Sequence, residues 1–231
     1  MSQRVALVSG AASGIGRAIA AELSDRGWAV LGVDLGPAPH CAISVEVDVT
    51  DFAGVARAVR QAEQQLGPVE AAVSAAGHYA IVPISEIDPS AWLRMLRVHL
   101  GGLAAITRAV LPGMVQRGSG TIVAVTSELA IGGGDSDSHY ASAKGAVIGF
   151  VRSLAAEVAP QGVRINAVAP GPTDTPLLAA DSPWRAPEYL STLPIGRLVR
   201  PDEVALCTAA LIEELPFCVG EIISPNAGAV I

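Results

Sequence analysis

Aromatic residues are scarce in this chain of 231 residues, at 4%, and charged residues make up only 16%. A core without aromatic bulk must be built from Ala, Val, Leu and Ile, which favours close helix-on-sheet packing over an aromatic sandwich. No basic stripe is present and the net charge is -7, which argues against a nucleic-acid partner. The three cysteines, Cys41, Cys207 and Cys218, stand in apolar surroundings without metal-ligand spacing. They read as small hydrophobes in a reducing compartment, and no metal is expected. No apolar run reaches membrane-spanning length, and the opening MSQRVALVSG leads into a strand-like run without a signal-peptide pattern. A soluble, cytoplasmic protein with no membrane partner is therefore expected. Lysine is the sharpest shortage: of 15 basic residues fourteen are Arg, and the single Lys is Lys144.

What is present is an alternation of short β-rich runs with longer Ala-rich stretches of helical period. Arg4–Ser9, Ala29–Asp34, Ile43–Val47, Val69–Ser74, Gly120–Thr126, Arg164–Val168 and Glu221–Ser224 read as strands. Gly14–Arg26, Phe52–Leu66, Pro89–Gln116, His139–Ala159 and Asp202–Glu214 read as helices. Strands this apolar are covered on both faces, as in a parallel sheet. The fold class predicted is α/β: a single-domain, Rossmann-like doubly wound parallel sheet of about seven strands, with helices on both faces, over residues 1–231. Two segments break the alternation. Residues 35–42 are too short and Pro-rich for a crossover helix, so the second crossover is expected as a loop. Residues 170–193 carry several Pro and read as an irregular or short-helical lid over a site.

After the first strand comes Gly10-Ala11-Ala12-Ser13-Gly14-Ile15-Gly16, then a helix. Glycines here allow a sharp turn and close approach of a pyrophosphate, which would sit on the helix N-terminus. The spacing is G-x3-G-x-G, so the general dinucleotide fingerprint is not matched literally. Asp34 ends the second strand, where a carboxylate accepts from both ribose hydroxyls and repels a 2′-phosphate. Ser13 is uncharged and no Arg or Lys follows Asp34 before residue 57, so NAD is expected over NADP. Asp48 reads equally as an adenine contact and as part of a helix N-cap region leading to Thr50 and Asp51.

Tyr140 and Lys144 are four apart on a predicted helix and share a face. A tyrosine is a poor acid or base near neutrality, and a nearby ammonium lowers its pKa. That the only Lys occupies this position suggests that a compact ammonium is needed where a guanidinium would not serve. Ser127 ends the fifth strand, at the sheet edge where ligands bind in open parallel sheets.

Taken in order, these residues resemble the short-chain dehydrogenase/reductase family over essentially the whole chain. Gly77, the Asn166-Ala167-Val168-Ala169-Pro170-Gly171 run, and Gly196-Arg197-Leu198 before Pro201-Asp202-Glu203-Val204-Ala205 add to the match. The resemblance implies an NAD-dependent oxidoreductase acting on a secondary alcohol or ketone. Tyr140 would be general acid or base, Ser127 would hold the substrate oxygen, and Lys144 would bind the nicotinamide ribose and lower the tyrosine pKa. The implied cofactor site runs over Gly10, Ser13, Gly14, Ile15, Gly16, Asp34, Asp48, Val49, Ala75, Ala76, Gly77, Tyr140, Lys144, Pro170, Gly171, Thr173 and Thr175.

Two departures stand out. The family's Asn-Asn-Ala-Gly reads Ser74-Ala75-Ala76-Gly77 here, without the amides that brace the sheet. Its Val-Asn-Leu reads Val98-His99-Leu100, so His99 stands where an asparagine supports a proton relay. A histidine can also hold a water and pass protons, or it can be a core residue. The substrate pocket is expected from Glu128, His78-Tyr79, the Gly132–His139 loop, and a lid from Trp184 to Leu193. A 3-oxoacyl thioester reductase, or a protein that senses NAD(H) without turnover, are alternative readings. The resemblance further implies a homo-oligomer, tetramer or dimer, packed through the two long helices.

Overall fold

The computed structural model describes residues 3–230; Met1, Ser2 and Ile231, at the ends of the expected domain, lie outside the described residues. Seven strands form one parallel sheet in the order β3-β2-β1-β4-β5-β6-β7. They are β1 (Val5–Ser9), β2 (Ala29–Asp34), β3 (Ile43–Glu46), β4 (Val69–Ser74), β5 (Gly120–Val125), β6 (Val163–Val168) and β7 (Ile222–Ile223). Period-2 alternation sends Val5 and Leu7 of β1 into one buried layer and Ala6 and Val8 into the other. Both faces are therefore apolar, which is why the inner strands read as continuous hydrophobic runs.

The first layer is covered by α2 (Phe52–Leu66), α4 (Gly102–Arg117) and α6 (Ser138–Val158), and the second by α1 (Gly14–Asp25) and α8 (Pro201–Glu213). Helix α2 starts where Asp51 Oδ1 accepts from the Gly54 N–H at 2.9 Å, a side-chain N-cap. It buries Val55, Ala58, Val59 and Ala62 at helical spacing. Helix α8 starts at Pro201, with the Glu203 carboxylate accepting from the Arg200 N–H at 2.8 Å.

The crossover from β2 to β3 is a loop, as expected. Ala38 is buried in it, its N–H donating to Ser44 Oγ at 2.9 Å. Cys41 is half-buried against Gly32, and all three cysteines are free thiols. Short helices over Ile84–Glu86 and α5 (Leu129–Gly132) were not expected, whereas Pro183–Arg185 and α7 (Pro187–Leu190) fall in the segment read as an irregular or short-helical lid. The long helix predicted over Pro89–Gln116 is continuous over Pro89–Arg117 but changes pitch: α3 (Pro89–Leu96) and α4 are joined by a π-helical turn, Arg97–Gly101. This helix, with a window of mean hydropathy 1.4, is long and apolar enough to cross a membrane by length and composition, contrary to expectation. Here Leu103, Ile106, Val110 and Met114 are buried against the sheet layer.

Candidate active site

Strand order reverses between β1 and β4, and the loops that leave these two strands open a crevice at the carboxyl edge of the sheet. A cavity of about 740 Å³ fills it, within the size range of cofactor and small-molecule sites. One end is made mostly of backbone. Gly10, at φ +70°, passes so close to the β4 loop that a Cβ there would lie 2.8 Å from the Ala76 nitrogen. A Cβ on Gly16 would overlap the Gly10 carbonyl, so α1 can start against the strand end only with glycine there. Ser13 stands at the N-cap of α1 without a side-chain capping bond, which leaves the first-turn N–H groups for a ligand. Asp34 braces the same loop: its two oxygens accept from the N–H groups of Ala12 at 2.9 Å and Leu35 at 2.6 Å.

The missing amides after β4 are compensated from β1. Ser9, fully buried, has its Oγ accepting from the N–H groups of Ala75 and Ala76 at 3.1 and 3.2 Å. Sequence reasoning missed Ser9 because it reads as one more strand residue. Asp48 is exposed at the cavity, its Oδ1 accepting from the Thr50 N–H, while the N-cap of α2 is Asp51.

The other end is made of side chains. Ser127, Tyr140 and Lys144 line the cavity together. Lys144 is 5% exposed, its Nζ donating to the Val125 carbonyl at 2.8 Å and lying 5.6 Å from the centre of the Tyr140 ring. Thr126 Oγ1 donates back to the Lys144 carbonyl at 2.8 Å, tying α6 to the end of β5. Lys144 forms no ion pair among the described residues. Burial alone pulls its ammonium down to about 7.

The tyrosine does not behave as the sequence reading expected. Its pKa is raised, first by burial and then by the Glu128 charge, with Ser127 opposing. Desolvation of the phenolate is the largest effect, and Ser127, not the ammonium, is the group that opposes it. Tyr140 is therefore held as a phenol at neutral pH. Glu128, beside Ser127, is itself pushed up to about 7 by burial.

His99 sits in the π-helical turn, 4% exposed. Its ring meets the Tyr140 ring edge-on at 5.5 Å, and its Nε2 lies 2.9 Å from the His78 carbonyl. Its Nδ1 is buried without a partner among the described residues. Burial and the Lys144 charge hold its pKa well below the usual histidine range, so it is neutral. The lid contributes Leu177, Leu178 and Trp184 to the cavity. Trp184 Nε1 donates to Tyr79 Oη at 3.0 Å, and Tyr79 Oη donates to Asp137 Oδ1 at 2.8 Å. Asp137 is fully buried beneath this contact.

The expected reactive and dinucleotide-site residues line this cavity, as do Glu128, His78, Tyr79 and Trp184 of the expected substrate pocket, but His139 does not. His139 is one position from Tyr140 and so points about 100° around the helix, where its ring packs towards Trp92 at 6.4 Å. The loop 132–138 and lid residues 185–193 also stay outside.

Known proteins resemble the chain throughout. The family model described as enoyl-(acyl carrier protein) reductase matches residues 10–229. A cis-4-hydroxycyclohexanecarboxylate dehydrogenase of Sinomonas cyclohexanicum is 40% identical, over 98% of this chain and 96% of the relative. A 3-oxoacyl-(acyl-carrier-protein) reductase of Vibrio harveyi is 32% identical, over 97% and 96%. The crystal structure of a 3-ketoacyl-(acyl-carrier-protein) reductase from Brucella melitensis complexed with NADH superimposes with a TM-score of 0.92 at 27% identity, over 100% of this chain and 99% of that one. With the sheet order, the glycine crevice and the Ser127, Tyr140 and Lys144 cluster on one cavity, these likenesses place the chain in the short-chain dehydrogenase/reductase family of oxidoreductases.

Proposed function

We propose that the chain is an NAD(H)-dependent oxidoreductase that interconverts a secondary alcohol and its ketone, with Tyr140 as the proton-transferring group. The observation that carries this reading is the shared cavity, with the glycine crevice and Asp34 at one end and Ser127, Tyr140 and Lys144 at the other. The crevice fits a dinucleotide: the glycines leave room that a Cβ would fill, and the α1 N-terminus lacks a side-chain cap. Gly10, Ser13, Gly14, Ile15 and Gly16 would hold the pyrophosphate, and Asp48, Val49, Ala75, Ala76 and Gly77 the adenosine side. Pro170, Gly171, Thr173 and Thr175 would flank the nicotinamide. When bound, the dinucleotide supplies or takes up the hydride. Asp34 followed by Leu35 favours NAD, since no cation stands there to receive a 2′-phosphate.

In the reductive direction the Tyr140 O–H donates its proton to the carbonyl oxygen, which the Ser127 hydroxyl holds. The raised pKa keeps the phenol protonated at neutral pH, the form that reduction requires. In the oxidative direction Tyr140 must first lose that proton, so alcohol oxidation rises with pH. Lys144 lies close enough to stabilise the phenolate when charged, and His99 Nδ1 offers a buried acceptor or donor for a relaying water. The lid over 170–193 closes the substrate end with Leu177, Leu178 and Trp184, and the protein acts as a homo-oligomer in the cytoplasm.

The 40% identity to a dehydrogenase of a hydroxycyclohexanecarboxylate favours cyclic secondary alcohols as first substrates. The likeness to 3-oxoacyl-(acyl-carrier-protein) reductases, one of them solved with NADH, favours a 3-oxoacyl thioester as the second reading. NADH absorbance with NAD or NADP over a panel of both substrate classes distinguishes them. Tyr140→Phe is expected to lose about 10²- to 10⁴-fold in kcat while still binding NADH. Turnover unchanged in that variant would sink the mechanism, and saturable NADH binding without turnover over a broad panel would leave a dinucleotide sensor.

A further inference from the structure

Glu128 is a buried carboxyl group, 5% exposed, that the reaction as described leaves unused. It follows Ser127 directly and lines the same cavity. Its Oε2 lies 2.8 Å from Ser127 Oγ, and the Leu129 N–H donates to that same Oγ at 3.2 Å.

A hydroxyl has one proton and two lone pairs, so these two neighbours decide what Ser127 has left for the substrate and for Tyr140, the third group within its reach. With Glu128 ionised, the carboxylate takes the Ser127 proton and the Leu129 N–H fills one lone pair. Ser127 can then only accept. With Glu128 protonated, its O–H donates to Oγ, both lone pairs are filled, and the Ser127 proton is released to point at the substrate. A carbonyl oxygen requires a donor, whereas an alcohol hydroxyl can be met by an acceptor.

We propose that Glu128 is a positioning residue whose proton decides which way the Ser127 hydroxyl faces, so that its acid form favours ketone reduction and its ionised form alcohol oxidation. The inference rests on the reading of Ser127 and Tyr140 given above. The groups that share its surroundings are Tyr140 and Lys144 on α6, Asp137 just before that helix, and Tyr189 on α7. Burial raises the Glu128 carboxyl to about 7, with Ser127 and nearby backbone N–H groups opposing and the Asp137 charge adding to it. The switch would therefore operate near neutrality. Lys144 is also held at about 7, so a simple pH profile would mix the two groups.

The test is a ratio that cancels Lys144: kcat/KM of Glu128→Gln divided by that of the wild-type protein, for ketone reduction with NADH, as a function of pH. Glutamine keeps an N–H donor towards Ser127 Oγ at every pH. The ratio is expected to rise at least ~10-fold from about pH 6 to about pH 8.5, because one titrating proton changes a rate about tenfold per pH unit. The same ratio for alcohol oxidation is expected not to rise. A ratio constant with pH in both directions overturns the proposal and leaves Glu128 a structural residue. Tyr140→Phe, run alongside, separates the two readings: if it is inactive while the Glu128→Gln ratio is flat, only the Glu128 inference falls. If Glu128→Gln does not fold, infrared difference spectra of the wild-type protein decide. Loss of a buried carboxylic-acid stretch with a midpoint near 7 supports the proposal, and no such titration overturns it.

Discussion

The two ends of the cavity are built on different principles. At the dinucleotide end the work falls to backbone: Gly10 and Gly16 let strand, loop and helix approach until no side chain fits between them, and Ser9 and Asp34 hold the loops from behind. At the substrate end the backbone merely carries side chains, and desolvation displaces their pKa values: Lys144 down to about 7, Glu128 up to about 7, Tyr140 raised and His99 lowered. A backbone site is defined by shape and tolerates no added atom. A side-chain site is defined by desolvation and tolerates changes of volume better than changes of charge.

Substitutions can break this contrast. The largest effect is expected from Gly16→Ala, whose single added carbon meets the Gly10 carbonyl; NADH affinity by fluorescence titration should fall by more than ~100-fold, or the fold should fail outright. Near-normal affinity would show that the backbone end is not shape-limited. Next is Lys144→Arg, which keeps charge but not size or donor geometry, and should lower kcat/KM by about 100-fold. A variant within a few-fold of wild type would mean that the lone lysine has no special place at the reactive end. Asp34→Ala with Leu35→Arg should then turn the preference towards NADP by roughly 10-fold, read as the ratio of kcat/KM for the two dinucleotides. The smallest effect is expected of Ser9→Ala, which leaves the N–H groups of Ala75 and Ala76 without their acceptor. Chemical denaturation should show a loss of about 1–2 kcal/mol, with chemistry at Tyr140 unaltered.

The same contrast explains what could be read from the sequence. Strands β2 and β4 and helix α2 fall on the residues expected, since long apolar periods and flanking turn residues mark them. The glycine crevice was legible because glycine has few other reasons to recur at that spacing. Helices of three or four residues carry no period, so Ile84–Glu86 and α5 were invisible. The π-helical turn at His99 was hidden because the apolar pattern runs through it unbroken. At the reactive end, the i,i+4 rule found Tyr140 and Lys144, but adjacency in sequence misplaced His139. The burial of Asp137 depends on Tyr79, 58 positions away. Least legible were the pKa values. An ammonium near a phenol suggests one shift, and the depth of the pocket imposes the opposite one.

The solitary lysine has a practical consequence. An amine held at about 7 is about half free base in neutral buffer, far more than an ordinary lysine, and no other lysine side chain competes for an acylating or Schiff-base-forming reagent. The one other amine that such a reagent can find is the chain's own α-amino group. Covalent tagging, followed by peptide mass mapping, therefore gives a titration of how far any bound molecule shields the floor of the pocket, without needing to know what that molecule is.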